Sequence, residues 1–460
     1  MKSSRNYSRY LGLGLNFNPK AHVLASYVVK RHAASRLEGL AFLGAIAAES
    51  STGTWIEVMT SQGQSNRLAG KVFYYDEAHD IAHIAYPADL FEPGNLSQLL
   101  TVIAGNAFGL ADVSALRLID VSFPIDYVKS YPGPQFGEDG IYSLFSQNER
   151  QPLCGAIVKP KCGLSAEEHA TVCYDAWIGM ADGGDVDGVD FVKDDEAITH
   201  NPAAGSGFEQ RLEATMNMLR RAEDRTGKRK IYVPNITSSN INESLRRAEL
   251  VNKAGGVAVM VDFVIGGGAL LHTLRLEGLG LVIHGHRTLF AALHRAERFG
   301  IDFMVWTKIF RMIGGDQMHS GTPALGVMEA KSQDVIEIVR NMREQIIQYA
   351  PRADGRLGQD FEGVKATLPV CGAGLDPLSV EPLVNVLGSS LLMIAGGDIH
   401  GHPYGTRAGA ACMREAVAAA ARKVPLSEWA VQRKAPWLDS GLSHFQAFDK
   451  QSPNAARGVM

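Results

Sequence analysis

Cysteine is scarce in this chain. There are five in 460 residues (Cys154, Cys162, Cys173, Cys371 and Cys412), scattered and without a CxxC pair. So sparse and odd a set excludes a disulfide framework and reads as the reduced thiols of a cytoplasmic protein. Long apolar runs are missing too. Val257–Ile265 ends at three glycines and is too short to span a bilayer, and the N-terminal stretch MKSSRNYSRYLGLGLNFNPK has no signal-peptide core. Nor is there an excess of one charge. Lys and Arg number 45 against 49 Asp and Glu, a formal net charge of −4, with no block of like charge. That balance points away from nucleic acid and membrane as partners.

What is present is apolar material and glycine. Hydrophobic residues make up 46% and charged residues 20%, enough for a large core and too apolar for a disordered chain. At roughly 150 residues per domain the length suggests two or three domains, although one α/β barrel can run to about 250 residues. The 48 glycines exceed average usage of roughly 7% and follow no repeat, so they belong where backbone turns tightly or approaches a ligand.

Residues 1–140 read as a mixed α+β unit. Val23–Val29 is strand-like, Leu37–Ala48 has helical spacing, and Thr54–Met59 and Lys71–Tyr75 are β-rich. The Pro/Gly-crowded Ser130–Gly140 marks a boundary. From there, over 141–460, eight short apolar runs alternate with amphipathic segments: Cys154–Lys159, Gly188–Lys193, Ile231–Asn235, Val257–Val264, Leu281–Arg287, Gln317–Ser320, Ala366–Val370 and Leu391–Ala395. Helices are expected at Glu209–Thr226, Asn242–Ala254, Leu289–Phe299, Ser332–Gln348 and Pro377–Leu387, with a helical tail over Gly405–Met460. Eight strand–helix repeats predict a (β/α)8 TIM barrel rather than an open doubly wound sheet.

Barrel chemistry sits where the strands end, and these ends are polar. Lys193-Asp194-Asp195-Glu196 follows the second run. Two hard oxygen ligands there suit Mg²⁺, and a lysine carbamylated by CO₂ would add a third; a solvated charge cluster capping a helix is the plainer alternative. Lys159 and Lys161 flank a proline after the first run, as proton-transfer groups or as surface lysines in a turn. His284, His286, Arg287 and His319 gather after the fifth and sixth runs, where arginine suits a phosphate. Gly372 and Gly374, then Gly396 and Gly397, follow the seventh and eighth, the usual barrel phosphate site. Together they describe a phosphorylated sugar or keto acid held at both ends while a lysine takes an α-proton.

Several long motifs resemble the large subunit of ribulose-bisphosphate carboxylase/oxygenase (Rubisco). They are Ala48-Glu-Ser-Ser-Thr-Gly-Thr-Trp55, Gly105-Asn106, Ile157-Val-Lys-Pro-Lys-Cys-Gly-Leu-Ser165, Asp190-Phe-Val-Lys-Asp-Asp-Glu196, His284-Gly-His-Arg287, Gly314-Gly-Asp-Gln-Met-His-Ser-Gly-Thr322 and Gly401-His-Pro403. The match spans nearly the whole chain, and its layout is closest to form II or the archaeal types. The resemblance implies Lys193 as a carbamylated ligand, with Asp195 and Glu196 completing a Mg²⁺ site. It makes Lys159 the acid/base at enediol formation, Lys161 its neighbour and His286 a second proton-transfer group. Arg287 and His319 would hold one phosphate; Thr54, Gly374, Gly396 and Gly397 the other, with Trp55 beside it. Glu49, Thr54, Trp55 and Asn106 would reach a partner chain's barrel, so the resemblance also implies at least a homodimer.

Three segments depart from the carboxylase pattern. The flexible loop after the sixth strand carries a lysine in a Gly-Lys-(Leu/Met)-Glu context in carboxylases; here it is Thr322-Pro-Ala-Leu-Gly-Val-Met-Glu329, with Val327 in the lysine's place and Lys331 four residues on. The Ser-Gly-Gly after strand seven is Gly372-Ala373-Gly374, and the third glycine after strand eight is Asp398. A valine offers no charge to a developing carboxylate. The expectation is therefore a Rubisco-like protein (form IV), a lyase or isomerase that enolises a phosphorylated ketose or keto-sugar acid, with or without its decarboxylation or isomerisation. A genuine ribulose-bisphosphate carboxylase is the alternative, and a silent binding or regulatory barrel the second.

Overall fold

The computed structural model describes every residue except 1–6, 54–55, 57–59, 61–62, 146–149, 183–185, 324, 326–330, 349–353, 373 and 450–460. The chain divides into two compact units. One comprises Met1–Gly133 with Leu289–Ile313 and Glu344–Val364; the other comprises Pro134–Thr288, Gly314–Arg343 and Lys365–Met460.

The first unit is built on a five-stranded sheet in the order Phe299–Ile301, Val113–Ser122, His22–Arg31, Ile81–Pro87, Lys71–Asp76. Its ladders are antiparallel except for Phe299–Ile301, which runs parallel to Val113–Ser122. The interior strands are buried at most positions and so lack strict alternation, whereas the edge strand Lys71–Asp76 is largely half-exposed. Helix Phe303–Ile313 is anchored by Lys308, whose fully buried Nζ meets Asp120 Oδ1 at 2.6 Å and donates to the carbonyls of Val121 and Leu357 at 2.7 and 2.9 Å. A carboxylate and two carbonyls satisfy all three ammonium donors, which is what makes its burial tolerable.

Two sequence expectations fail in this unit. The helical spacing over Leu289–Phe299 yields only Phe290–His294, after which the chain extends into Phe299–Ile301. The expected helix Ser332–Gln348 stops at Arg343, because Ile346–Ile347 pairs instead with Gln359–Asp360. In both places pairing within the sheet unit overrides a local helical pattern. Most of Thr54–Met59 lies outside the described residues.

The second unit is the barrel. Its eight parallel strands, in chain order, are Leu153–Ile157, Phe191–Lys193, Ile231–Val233, Ala258–Asp262, Val282–His286, Gln317–His319, Leu368–Cys371 and Leu392–Ala395. The first pairs with both the second and the eighth, and a bridge between Asn235 and Met260 joins the third to the fourth, so the sheet closes. Each strand is short and nearly wholly buried, which is why it was legible as an apolar run. Residues such as Leu153, Phe191, Ile231, Met260, Val282, Val370 and Ile394 form one cluster, joined by Ile141 and Tyr142 of helix Gly137–Ser143. Fully buried Asp316 accepts the N–H groups of Phe136, Gly137 and Ile283 at 2.8–2.9 Å and pairs with Arg275. Helices Gly405–Ala421, Leu426–Arg433 and Pro436–Asp449 form the tail. No helix among the described residues is long and apolar enough to cross a membrane.

Candidate active site

Parallel packing brings the last residues of neighbouring strands together. Lys193 ends the second strand at 1% exposure. Its Nζ lies 2.8 Å from the Asp194 carbonyl and 3.3 Å from Sδ of Met260. Neither neutralises an ammonium, and burial pulls the amine below its ordinary pKa against the opposing pull of Glu196, Asp195 and Asp262. Asp195 is likewise buried, and its Oδ2 receives Nζ of Lys159 at 2.5 Å. Glu196 Oε2 lies 3.7 Å from Nε2 of His286, the last residue of the fifth strand. His319, ending the sixth strand, stacks edge-on against both His286 and His284, with centroids 4.8 and 5.0 Å apart. Arg287 donates to the Ser320 carbonyl at 3.2 Å, and burial weighs against its charge.

Several polar atoms here are buried without a hydrogen bond: His284 Nε2, His319 Nε2, Gln317 Nε2 and Asp262 Oδ1, all on the fourth to sixth strands. Native interiors rarely tolerate such a concentration, and a ligand or ordered water is the usual remedy. Burial, then the neighbouring cations, keeps both His284 and His319 neutral, His284 down to about 3.

The donor chemistry fits a hard divalent cation. Among the described residues no group of three or more His, Cys, Asp or Glu side chains is arranged to hold a metal. Asp195 and Glu196 supply two oxygen donors, and a third would come from Lys193 as its carbamate, a group made from the neutral amine that its burial favours.

Gly396 follows the eighth strand, and a Cβ there would come within 3.2 Å of Lys159 Cε, so the glycine leaves room for the lysine. Gly374 takes φ +72, open to glycine at little cost, while Gly397 faces open space. Lys161 is exposed. Asn106 begins a 3₁₀ turn and Glu49 ends helix Ala41–Glu49, both in the sheet unit. Thr54, Trp55 and Val327 lie outside the described residues. Lys159, Lys193, Asp195, Glu196, His286, Arg287 and His319 thus lie at the ends of the first, second, fifth and sixth strands, with Glu196 and His286 meeting across the mouth.

Sequence reasoning passed over the support beneath them. Asp194, wholly buried, accepts the Tyr232 hydroxyl at 2.6 Å, the Asn235 N–H at 3.0 Å and Arg211 at 3.2 Å, with His169 Nε2 at 3.1 Å. Burial works to raise this carboxyl, but Arg211, His169 and Tyr232 outweigh it and hold it well below the usual range. The signal available was a doubled aspartate, in which one member serves the site and the other holds the strand end.

The profile described as "Ribulose bisphosphate carboxylase large chain, catalytic domain" matches residues 142–445, and the corresponding N-terminal domain profile matches 10–127. The chain belongs to the ribulose bisphosphate carboxylase large-chain family. A relative named ribulose bisphosphate carboxylase from Methanocaldococcus jannaschii is 40% identical over 88% of this chain and 93% of its own length. One of the same name from Pyrococcus abyssi is 37% identical over 96% and 98%. Among solved structures, a dimeric archaeal Rubisco from Hyperthermus butylicus superposes with TM-score 0.86 at 34% identity, covering 95% of this chain and 98% of that one. An octameric Rubisco from Pyrococcus horikoshii gives 0.85 at 34% identity, covering 97% and 99%. None of these relatives is named a Rubisco-like protein, so the form IV assignment drawn from Val327 and Asp398 gains no support from them.

Asp398 stands where the resemblance implies a third glycine. It is half-buried in the turn Gly397–His400, and burial, followed by the charge of Asp376, raises its carboxyl to about 6. A carboxyl raised above its unfolded value of 3.8 gives full stability only below that value and loses it as pH climbs through about 6. Asp398→Asn should therefore gain about 1–2 kcal/mol over the wild type at pH 8, after discounting for partial exposure, and little at pH 4. Denaturant unfolding at the two pH values checks this; an equal difference at both would count against it.

Proposed function

We propose that this chain enolises a phosphorylated ketose of the ribulose-bisphosphate kind and adds CO₂ to the resulting enediolate, as a Mg²⁺-dependent carboxylase. The observation that carries the enolisation is the cluster of buried Lys193 and Asp195 with half-exposed Glu196, with Lys159 on Asp195. The names of the relatives favour carboxylation as the fate of the enediolate.

Lys193 as its carbamate, Asp195 and Glu196 would hold Mg²⁺, which supplies charge stabilisation to the ketone oxygen. Lys159, its chain confined against Gly396, would serve as the acid/base of the enediol step, taking the proton from the carbon beside the ketone only once its amine has given up its own. His286 moves protons to and from the enediolate oxygens. Arg287 and His319 hold one phosphate, the guanidinium through paired N–H groups and the neutral imidazole through an otherwise unsatisfied Nε2. Thr54, Gly374, Gly396 and Gly397 take the other, with Trp55 alongside, and Lys161 adds positive charge at the mouth. Asn106 and Glu49 would act on the barrel of a second copy, making the working unit a homodimer or larger, consistent with the dimeric and octameric neighbours.

A second reading rests on Val327: enolisation followed by isomerisation or decarboxylation of a related sugar phosphate. The deciding experiment incubates the protein with Mg²⁺, ¹⁴C-bicarbonate and ribulose bisphosphate, and reads proton exchange at C3 alongside acid-stable ¹⁴C. Exchange with incorporation supports carboxylation. Exchange alone leaves the second reading, and neither would sink both.

A further inference from the structure

Asp262 ends the fourth barrel strand at 4% exposure, and no role in the reaction has yet been given to it. Its Oδ2 accepts Nδ2 of Asn235 at 3.0 Å, and its backbone N–H donates to Thr237 Oγ1 at 2.9 Å. Oδ1 has no hydrogen bond. A carboxylate oxygen left unsatisfied in the interior is costly, and it needs a donor within reach. At 3.3 Å lies Nδ1 of His286, close enough for an ion pair but not aligned as a hydrogen bond. That same nitrogen accepts the backbone N–H of Thr288 at 3.2 Å. The two neighbours ask for opposite tautomers. The Thr288 contact needs a bare Nδ1 and places the proton on Nε2, the nitrogen that faces Glu196. The Asp262 contact needs Nδ1–H and leaves Nε2 bare and basic.

We infer that Asp262 is the positioning residue of His286. The orphan carboxylate oxygen takes Nδ1–H, so that Nε2 is presented to the substrate as the proton acceptor. It then stabilises the imidazolium once Nε2 has gained its proton. The proton passes from an enediol hydroxyl to Nε2 and returns by the same route, so neither net charge nor electron count changes over the cycle. The logic is that of a carboxylate behind a catalytic histidine: it sets tautomer and orientation and is not itself protonated. Catalytic hydrogen bonds are often long or poorly aligned before substrate binds, and the 3.3 Å separation between Nδ1 and Oδ1 is already within reach of one. The His319 ring, stacked edge-on at 4.8 Å, contacts the imidazole by its ring and leaves this edge to Asp262 and Thr288. Asn235 extends the arrangement, since its Nδ2 also approaches the carbonyls of Asp195 and Glu196 at 3.5 and 3.4 Å. One amide therefore ties the carboxylate behind His286 to the strand end that carries the candidate metal ligands.

This inference rests on His286 as the proton-transfer group of the proposed reaction, and its test separates the two. In the full-length protein activated with Mg²⁺ and bicarbonate, the near-isosteric Asp262→Asn should lower kcat for C3 proton exchange by about 10²-fold or more at unchanged KM. The variant should cause no further loss when added to His286→Asn. In ¹⁵N-histidine NMR, with the His286 signals assigned by their loss in His286→Asn, the wild-type ring should populate the Nδ1–H tautomer and Asp262→Asn should remove it. A kcat within twofold of wild type, additive losses in the double variant, or a deficit repaired by saturating Mg²⁺ and bicarbonate would overturn the inference. The wild-type spectrum decides the matter even if the variant fails to fold: a ring held wholly as Nε2–H, with and without a bisphosphate analogue, defeats it. Should the wild type exchange no proton at all, the proposed reaction fails, and the tautomer measurement alone judges Asp262.

Discussion

Lys193→Met should yield a folded protein that has lost turnover by roughly 10³-fold or more and no longer responds to Mg²⁺ or bicarbonate. Methionine has the length to fill the same slot, and the slot is already apolar on one side, where Sδ of Met260 lies 3.3 Å from the lysine nitrogen. The charge is what the slot tolerates poorly. A lysine whose folded pKa is depressed destabilises the fold at every pH below its unfolded value, so removing it in bicarbonate-free buffer at pH 7 should raise the melting temperature. Activity and stability thus move in opposite directions, a pattern that loss of a merely structural side chain would not give. The direct check is ¹³C NMR after exposure to ¹³CO₂: a carbamate resonance in the wild type that is missing from Lys193→Met. A variant that exchanges substrate protons normally, or a wild type that forms no carbamate under activating conditions, would refute the role.

On the second reading, in which the wild type enolises but hardly traps CO₂, Val327→Lys should raise the ratio of fixed CO₂ to exchanged proton by about 10²-fold with little change in the rate of enolisation, whereas a working carboxylase should show a ratio that scarcely moves. In the proposed reaction enolisation is served by groups at the strand ends, Lys159 and His286 among them, and Val327 is not one of them. CO₂ addition builds a new carboxylate, and one well-placed donor to a developing anion is typically worth about 10²–10³ in rate. The ratio of fixed ¹⁴C to exchanged proton isolates this step because enolisation appears in both. An unchanged ratio in Val327→Lys would show that the wild type has another cation in place, and Lys331 is the candidate to remove next.

The barrel was legible because parallel strands buried on both faces leave continuous apolar runs that need no alternation to be seen. Its candidate site was legible because a strand that ends in Lys-Asp-Asp-Glu or His-Gly-His-Arg puts its polar groups at a predictable place. The five-stranded sheet was only half visible. Ile81–Pro87 and Val113–Ser122 were not anticipated, and Phe299–Ile301 was hidden inside a helical pattern, since it becomes a strand only when Val113–Ser122 is there to pair with it. Asp194 and Asp262 were missed for a related reason. Their work lies in contacts to Tyr232, Arg211, Asn235 and His286, which are distant in sequence and meet only once the barrel has closed. Reading Val327 as the mark of a different enzyme gave one loop position more weight than the whole-length kinship supports.

The route of the chain through its two units bears on how the protein can be made and taken apart. Residues 289–313 and 344–364 belong to the sheet unit although they are translated between barrel strands. A ribosome that has released the first 133 residues has therefore delivered an unfinished sheet. Val113–Ser122 still waits for its neighbour Phe299–Ile301, and Asp120 has no Lys308 to neutralise it. Neither unit exists as one contiguous stretch of message. Cutting a gene fragment at the Pro/Gly-rich boundary would strand two barrel-encoded segments without the sheet they complete, and nascent chains depend on late-emerging residues to finish what the first ones began.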